Sequence, residues 1–192
     1  MISSDRFQKI EVTSAHELRQ WLLKNHSQPE SVWLVTYKKH TGAKYVSTAE
    51  VLDELICFGW IDGIRRKGDE ARTLQLISPR KVEHWAQSYK VRAARLIREG
   101  KMHAAGKEAM ARSKKQGLWD FMNDVDKLRV PADLKKALAQ KPAAQAFFEA
   151  LNDSSKRFVL RWLKLAKTDK TRTARIQKLV MLSERGEKLK GS

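Results

Sequence analysis

The chain has 192 residues, 42% of them apolar, with 39 Lys and Arg against 22 Asp and Glu for a formal net charge of +17. That length suits one domain of ordinary size or a domain with an appendage, and such a composition buries a real core, which excludes an intrinsically disordered chain. No window approaches the roughly 18 apolar residues of a membrane span, and the start, Met1-Ile2-Ser3-Ser4-Asp5-Arg6-Phe7, has no basic stretch leading into an apolar run, so the chain reads as cytoplasmic.

Charge is uneven along the chain. Residues 1–80 hold 12 Lys and Arg against 10 Asp and Glu, whereas residues 81–192 hold 27 against 12. A field of that sign favours anionic partners: nucleic acid, acidic protein surfaces or anionic lipid. The single cysteine, Cys57, lies among Leu55, Ile56 and Phe58 and reads as a buried structural thiol.

Phe7-Gln8-Lys9-Ile10-Glu11-Val12 alternates in the manner of a short half-buried strand. Ser14 with Glu17, and Ser47 with Glu50, carry the hydroxyl-to-Glu spacing of a capping box and predict helices to about Asn25 and to Gly59. Between them, Ser31–Tyr37 is β-rich and apolar on both faces, as a central strand is. Trp60–Arg66 and Ala71–Ile77 flank a Lys67-Gly68-Asp69-Glu70 turn and predict a β-hairpin closed by Ser78-Pro79-Arg80. Helical signals dominate afterwards. Trp85, Tyr89, Ala93 and Leu96 share one face ending at Gly100, and a second helix spans about His103–Gln116. Pro131 and Lys141-Pro142 open two short helices, Ser154-Ser155 caps a longer one through Lys167, and Lys170–Arg185 forms the last, before a loose tail from Gly186. The expected fold is α+β: a small, mainly antiparallel sheet with packed helices over 1–128, then an all-helical basic module over 129–192.

The hairpin concentrates the chemistry. With residues 67–70 as the loop, Arg66 pairs with Ala71 and Asp62 with Gln75. One face then carries Trp60, Asp62, Arg66 and Gln75, with Arg80 and Trp85 able to cover a side, while Ile61, Leu74 and Leu76 form the core face. An indole wall, a carboxylate acceptor and guanidinium donors suit a small anionic or polar ligand. The same residues also suit an ion pair that orders a hairpin, and Asp69 with Arg72 suits that role in the turn. GxGxxG, Walker, HExxH, CxxC and GxSxG signatures are missing, and His16, His26, His40, His84 and His103 are dispersed, so neither metal catalysis nor a cofactor is expected.

In the basic helices, Arg157, Arg161 and Lys164 form a ridge beside the apolar stripe Phe158, Val159, Trp162 and Leu163, and Arg172 and Arg175 extend it. Such a ridge is either a solvated face or a footprint for phosphates or an acidic protein surface.

Leu55-Ile56-Cys57-Phe58-Gly59-Trp60-Ile61-Asp62-Gly63, Ser78-Pro79-Arg80, Trp85, the Arg95–Met102 stretch with Gly106, Ala166-Lys167 and Thr171–Ile176 resemble the YdeI-like, OmpD-associated family, also called bacteriocin-protection proteins. The resemblance extends over nearly all of the chain. It departs from the family pattern at Ala86 (Ser), Tyr89 (Asn) and Lys170 (Glu). What it implies is protection against bacteriocins or cationic peptides and an envelope connection, with no agreed catalytic activity or cofactor; together with the cytoplasmic reading above, the expected role is a cytoplasmic stress or envelope-protection one. Three readings stand: non-enzymatic binding of a small anionic or polar ligand or an acidic partner, nucleic-acid binding through the basic helices, and an enzyme using Asp62 with Arg66 and Arg80.

Overall fold

Both capping signals do what their spacing predicts, and they set the two helices against which the sheet is built. In the computed structural model, which describes residues 7–81 and 84–191, Ser14 accepts a hydrogen bond from the Glu17 amide and starts α1 (Ala15–Asn25). Glu17 reaches back one residue further than a standard box, to the amide and hydroxyl of Thr13. Ser47 and Glu50 form the reciprocal box that opens α2 (Thr48–Cys57). Met1–Arg6 lie outside the described residues.

Four strands form one sheet in the order β1-β2-β4-β3: β1 (Lys9–Glu11), β2 (Val32–Tyr37), β3 (Trp60–Lys67) and β4 (Arg72–Pro79). β1 runs parallel to β2, and the remaining pairs are antiparallel. β2 sits between β1 and β4 and is buried on both faces, as its unbroken apolar run requires. α3 (Gln87–Arg98) and α4 (Ala104–Lys115) complete the first of two compact units, the chain dividing between Asp120 and Phe121.

The hairpin register differs from the expected one. Asp62 pairs with Ile77, not Gln75, and Arg66 with Leu74, not Ala71. A bulge between Asp62 and Arg65 leaves Gly63 and Ile64 out of the ladder, so Arg65 pairs with Gln75. An extra residue reverses the side on which every later side chain lies. Independently of the bulge, the expected core face is reversed too. Ile61, Leu74 and Leu76 are half-buried, whereas Trp60 and Ile77 lie on the side packed into the core with Ile10, Val32, Leu34, Leu18, Leu22, Leu55 and Ile56.

The second unit contains α5 (Asn123–Asp126), α6 (Ala132–Ala139), α7 (Pro142–Ala150), α8 (Asp153–Lys164) and α9 (Asp169–Glu184) around its own apolar cluster. α8 is capped by Asn152, whose side-chain oxygen accepts from the Ser155 amide at 2.9 Å, and it stops at Lys164, short of the expected Lys167. Asn152 carries the acceptor geometry two residues before the first of the expected serines, Ser154. The segment after Gly186 is not a loose tail: Leu189 is only 7% exposed and belongs to the second core. The sequence is 42% apolar, but this single Leu among charged residues carries too little periodic signal to predict its docking.

Candidate binding site on the hairpin

The bulge turns Arg65 toward Gln75 and builds a continuous polar chain. The hydroxyl of Tyr89 on α3 donates to Asp62 Oδ1, and Gln75 Nε2 approaches Asp62 Oδ2 at 3.4 Å. On the other side of the same amide, Gln75 Oε1 accepts from Arg65 Nη2 at 3.0 Å, and Arg65 Nη1 donates to Thr48 Oγ1 at 3.1 Å. Gln75 is 5% exposed whereas Arg65 is exposed, so the chain runs from solvent into the interior. The Gln75–Asp62 contact lies beyond the usual 2.7–3.2 Å range, which makes it the weak joint of the relay.

Arg80 adds a second layer. It is 6% exposed, its guanidinium carbon lies 4.1 Å from the Trp85 ring centroid and 5.4 Å from that of Tyr89, and Nη2 donates to the His84 carbonyl at 2.9 Å. A desolvated guanidinium over two electron-rich rings is a favourable arrangement. Its backbone amide donates to Gly59 O at 2.9 Å, which fastens the end of β4 to the turn that opens β3.

Four of the six hairpin-site residues named from sequence are thus brought together: Asp62, Gln75, Arg80 and Trp85. The other two are not. Trp60 is 1% exposed, donates its indole N–H to His26 O at 2.9 Å and meets Trp21 edge-on at 5.5 Å, so it is part of the core rather than a wall. Arg66 lies across the sheet, 5.2 Å from the Trp33 ring centroid. Sequence reasoning missed Tyr89, Arg65 and Thr48 as site residues. Tyr89 sat in an apolar stripe at helical spacing, although it is also a position where the chain departs from the family pattern; Arg65 could be placed only by knowing of the bulge.

Beneath the motif, the fold gathers two histidines that are far apart in sequence. His26 and His103 have ring centroids 4.8 Å apart, and Phe58 stacks on His103 at 4.7 Å. Burial, then the charges of His26 and Arg19, lower the His103 pKa. Burial pushes the Cys57 thiol up to about 11, where it is a weak nucleophile at neutral pH. Among the described residues no group of three or more His, Cys, Asp or Glu is arranged to hold a metal ion.

The basic residues of the C-terminal helices are mostly engaged within their own unit. Arg172 holds Asp133 through two bonds of 2.5 and 2.9 Å, Lys164 bonds Asp124, and Arg175 donates to Trp162 O while lying 4.9 Å over its ring. Arg157 reaches Asp153 at 3.3 Å, and Arg161 is exposed. The Arg172 hydrogen bond holds the Asp133 carboxyl below its usual range. At Asp124 burial works in the opposite direction, but the Lys164 bond and charge contribute to a net lowering.

Two family models match different parts of the chain. Residues 10–109 match the model described as Domain of unknown function (DUF8412), and residues 127–186 match Bacteriocin-protection, YdeI or OmpD-Associated. No curated protein and no solved structure matches the chain significantly. The family resemblance read from the sequence is supported by the match over residues 127–186, while the hairpin and its site fall within the other model. Since residues 10–109 make up more than half of the 192, the chain belongs to the family of that domain of unknown function, and it carries behind it a bacteriocin-protection, OmpD-associated module.

Proposed function

We propose that this chain is a non-enzymatic binding protein of the bacteriocin-protection type, acting in the cytoplasm, which takes a small anionic or polar ligand at the Arg65–Gln75–Asp62 relay. The observation that carries this is the buried Gln75 amide, which joins an exposed guanidinium at 3.0 Å to a half-buried carboxylate at 3.4 Å. A ligand offering an acceptor to Arg65 and a donor to Asp62 replaces the weak joint with two charge-assisted bonds, each stronger than a neutral one. Binding rather than catalysis is favoured because the Tyr89 hydroxyl is held by Asp62 Oδ1, which leaves the other carboxylate oxygen, at its long contact with Gln75, as an acceptor for a ligand. The C-terminal module, with 17 Lys and Arg against 8 Asp and Glu over residues 121–192, supports an acidic partner.

The test is a thermal-shift titration of the full chain with glutamate, citrate and glycylglycine, beside Arg65→Ala. The expected result is a saturable rise in Tm with at least one compound, diminished in the variant. A panel in which no compound separates wild type from Arg65→Ala would overturn the proposal.

A further inference from the structure

In the OmpD-associated module, a cavity of 180 Å³ is lined by Arg129, Lys164 and Arg172, with Asp124 at its side and Leu160 and Leu163 among its apolar residues. The three cations arrive from three places: the turn after α5, the last turn of α8 and the first turn of α9. Drug-sized ligands occupy pockets of about 300–1,000 Å³, so this space suits a small ion.

The donors are not exhausted by the contacts they already make. Lys164 has three N–H donors, and Asp124 takes one. Arg172 gives Nε and Nη2 to Asp133, while its Nη1 reaches Leu163 O only at 3.4 Å. The Arg129 guanidinium has no hydrogen-bond or ion-pair partner among the described residues, and it is exposed. Its position is set by an unusual backbone. Leu128 adopts φ +54°, the only positive φ at a non-glycine residue among those described, and the Arg129 amide then closes onto Asp124 O at 2.8 Å. Left-handed backbone is disfavoured for a γ-branched residue, and here it is held by the packing of Leu128 against the second core.

We propose that this cavity binds a phosphate group, as the free ion or a phosphate monoester, through Arg129, Lys164 and the second N–H of Arg172 Nη1, whose other N–H makes the long contact to Leu163 O. Cations converging from three elements match a tetrahedral oxyanion, whose acceptors point in several directions, better than a planar carboxylate. Asp124 does not forbid this, because a protonated phosphate oxygen can donate to it. Two of the five residues that make up the basic ridge in sequence, Lys164 and Arg172, then serve a single small ion in a solvent-open cavity rather than an extended polymer.

The test is calorimetric titration of the full chain with inorganic phosphate and, separately, glycerol 3-phosphate, each against sodium chloride at matched ionic strength. Saturable binding of either probe is expected, with the probe that binds deciding between free ion and ester. Arg129→Ala should weaken it about tenfold or more, the value of one lost charge-assisted bond, and Arg129→Lys should retain part of it. Arg65→Ala should leave it unchanged, which separates this cavity from the hairpin site. Absence of saturable binding by both probes, equal affinity in Arg129→Ala, or loss in Arg65→Ala would each overturn the proposal.

Discussion

Tyr89 donates its phenolic hydrogen to Asp62 and thereby ties α3 to β3 at the point where the hairpin leaves the core. The same ring lies beneath Arg80, so one side chain joins the carboxylate to the stacked guanidinium.

Removing that hydroxyl leaves Asp62 with Gln75 at 3.4 Å as its remaining side-chain donor. Tyr89→Phe keeps the ring and its stacking, so the loss isolates the hydrogen bond. Urea denaturation should show a destabilisation of about 1–3 kcal/mol. An unchanged midpoint and slope would mean that solvent replaces the phenol at no cost.

Gly106 gives a case in which packing reverses a propensity. An added Cβ in this helical position would come within 2.4 Å of Cys57 O and 2.6 Å of Met102 Sδ. Ala is ordinarily favoured over Gly inside a helix by about 1 kcal/mol, but here the close approach of α4 to the end of α2 opposes it. Gly106→Ala should lower the thermal midpoint. A stabilised variant would show that the two helices can separate freely.

Asp133 supplies a pH dependence with a definite sign. Its folded-state pKa is depressed, first by the Arg172 hydrogen bond, so the stabilisation is present above the unfolded pKa and is lost as pH falls through the folded value. Its side chain is 43% exposed, which limits the effect to under about 1 kcal/mol. Asp133→Asn should therefore be less stable than wild type in urea at neutral pH and equal to it in strong acid. A difference that grows on acidification would contradict this cause.

Duplex DNA gives a quantitative check on the basic helices. Of Arg157, Arg161, Lys164, Arg172 and Arg175, the last three turn to contacts and a cavity within the module, which leaves the exposed Arg161 and the half-buried Arg157, held only by its 3.3 Å pair with Asp153, to meet a polymer. Two neutralised phosphates give a log–log salt slope of about −1.8. A mobility-shift series should show binding no steeper than that. A slope near that of five contacts would restore the full ridge as a nucleic-acid surface.

Much of the fold is legible because it is local. Ser14 and Ser47 announce their helices through acceptors three residues from an acidic partner, and β2 announces its centrality by burying both faces. The α+β class and the antiparallel hairpin follow from such signals. The hairpin register does not, since Gly63 and Ile64 leave the ladder with no turn residue beyond Gly63 to mark the bulge. That one offset moved Arg66 away from Asp62 and brought Arg65 to Gln75. The His26–His103 pair and the docking of Leu189 are long-range contacts, to which neither spacing nor propensity refers.

The most direct test of the hairpin site is the Gln75 side-chain amide itself, followed in a ¹⁵N-labelled full chain and assigned by its disappearance in Gln75→Leu. Titration with glutamate, citrate or glycylglycine should shift this NH₂ pair saturably, in step with the Arg65 guanidinium signal. Binding of a compound that leaves both signals in place would contradict the assignment of the relay as the ligand site.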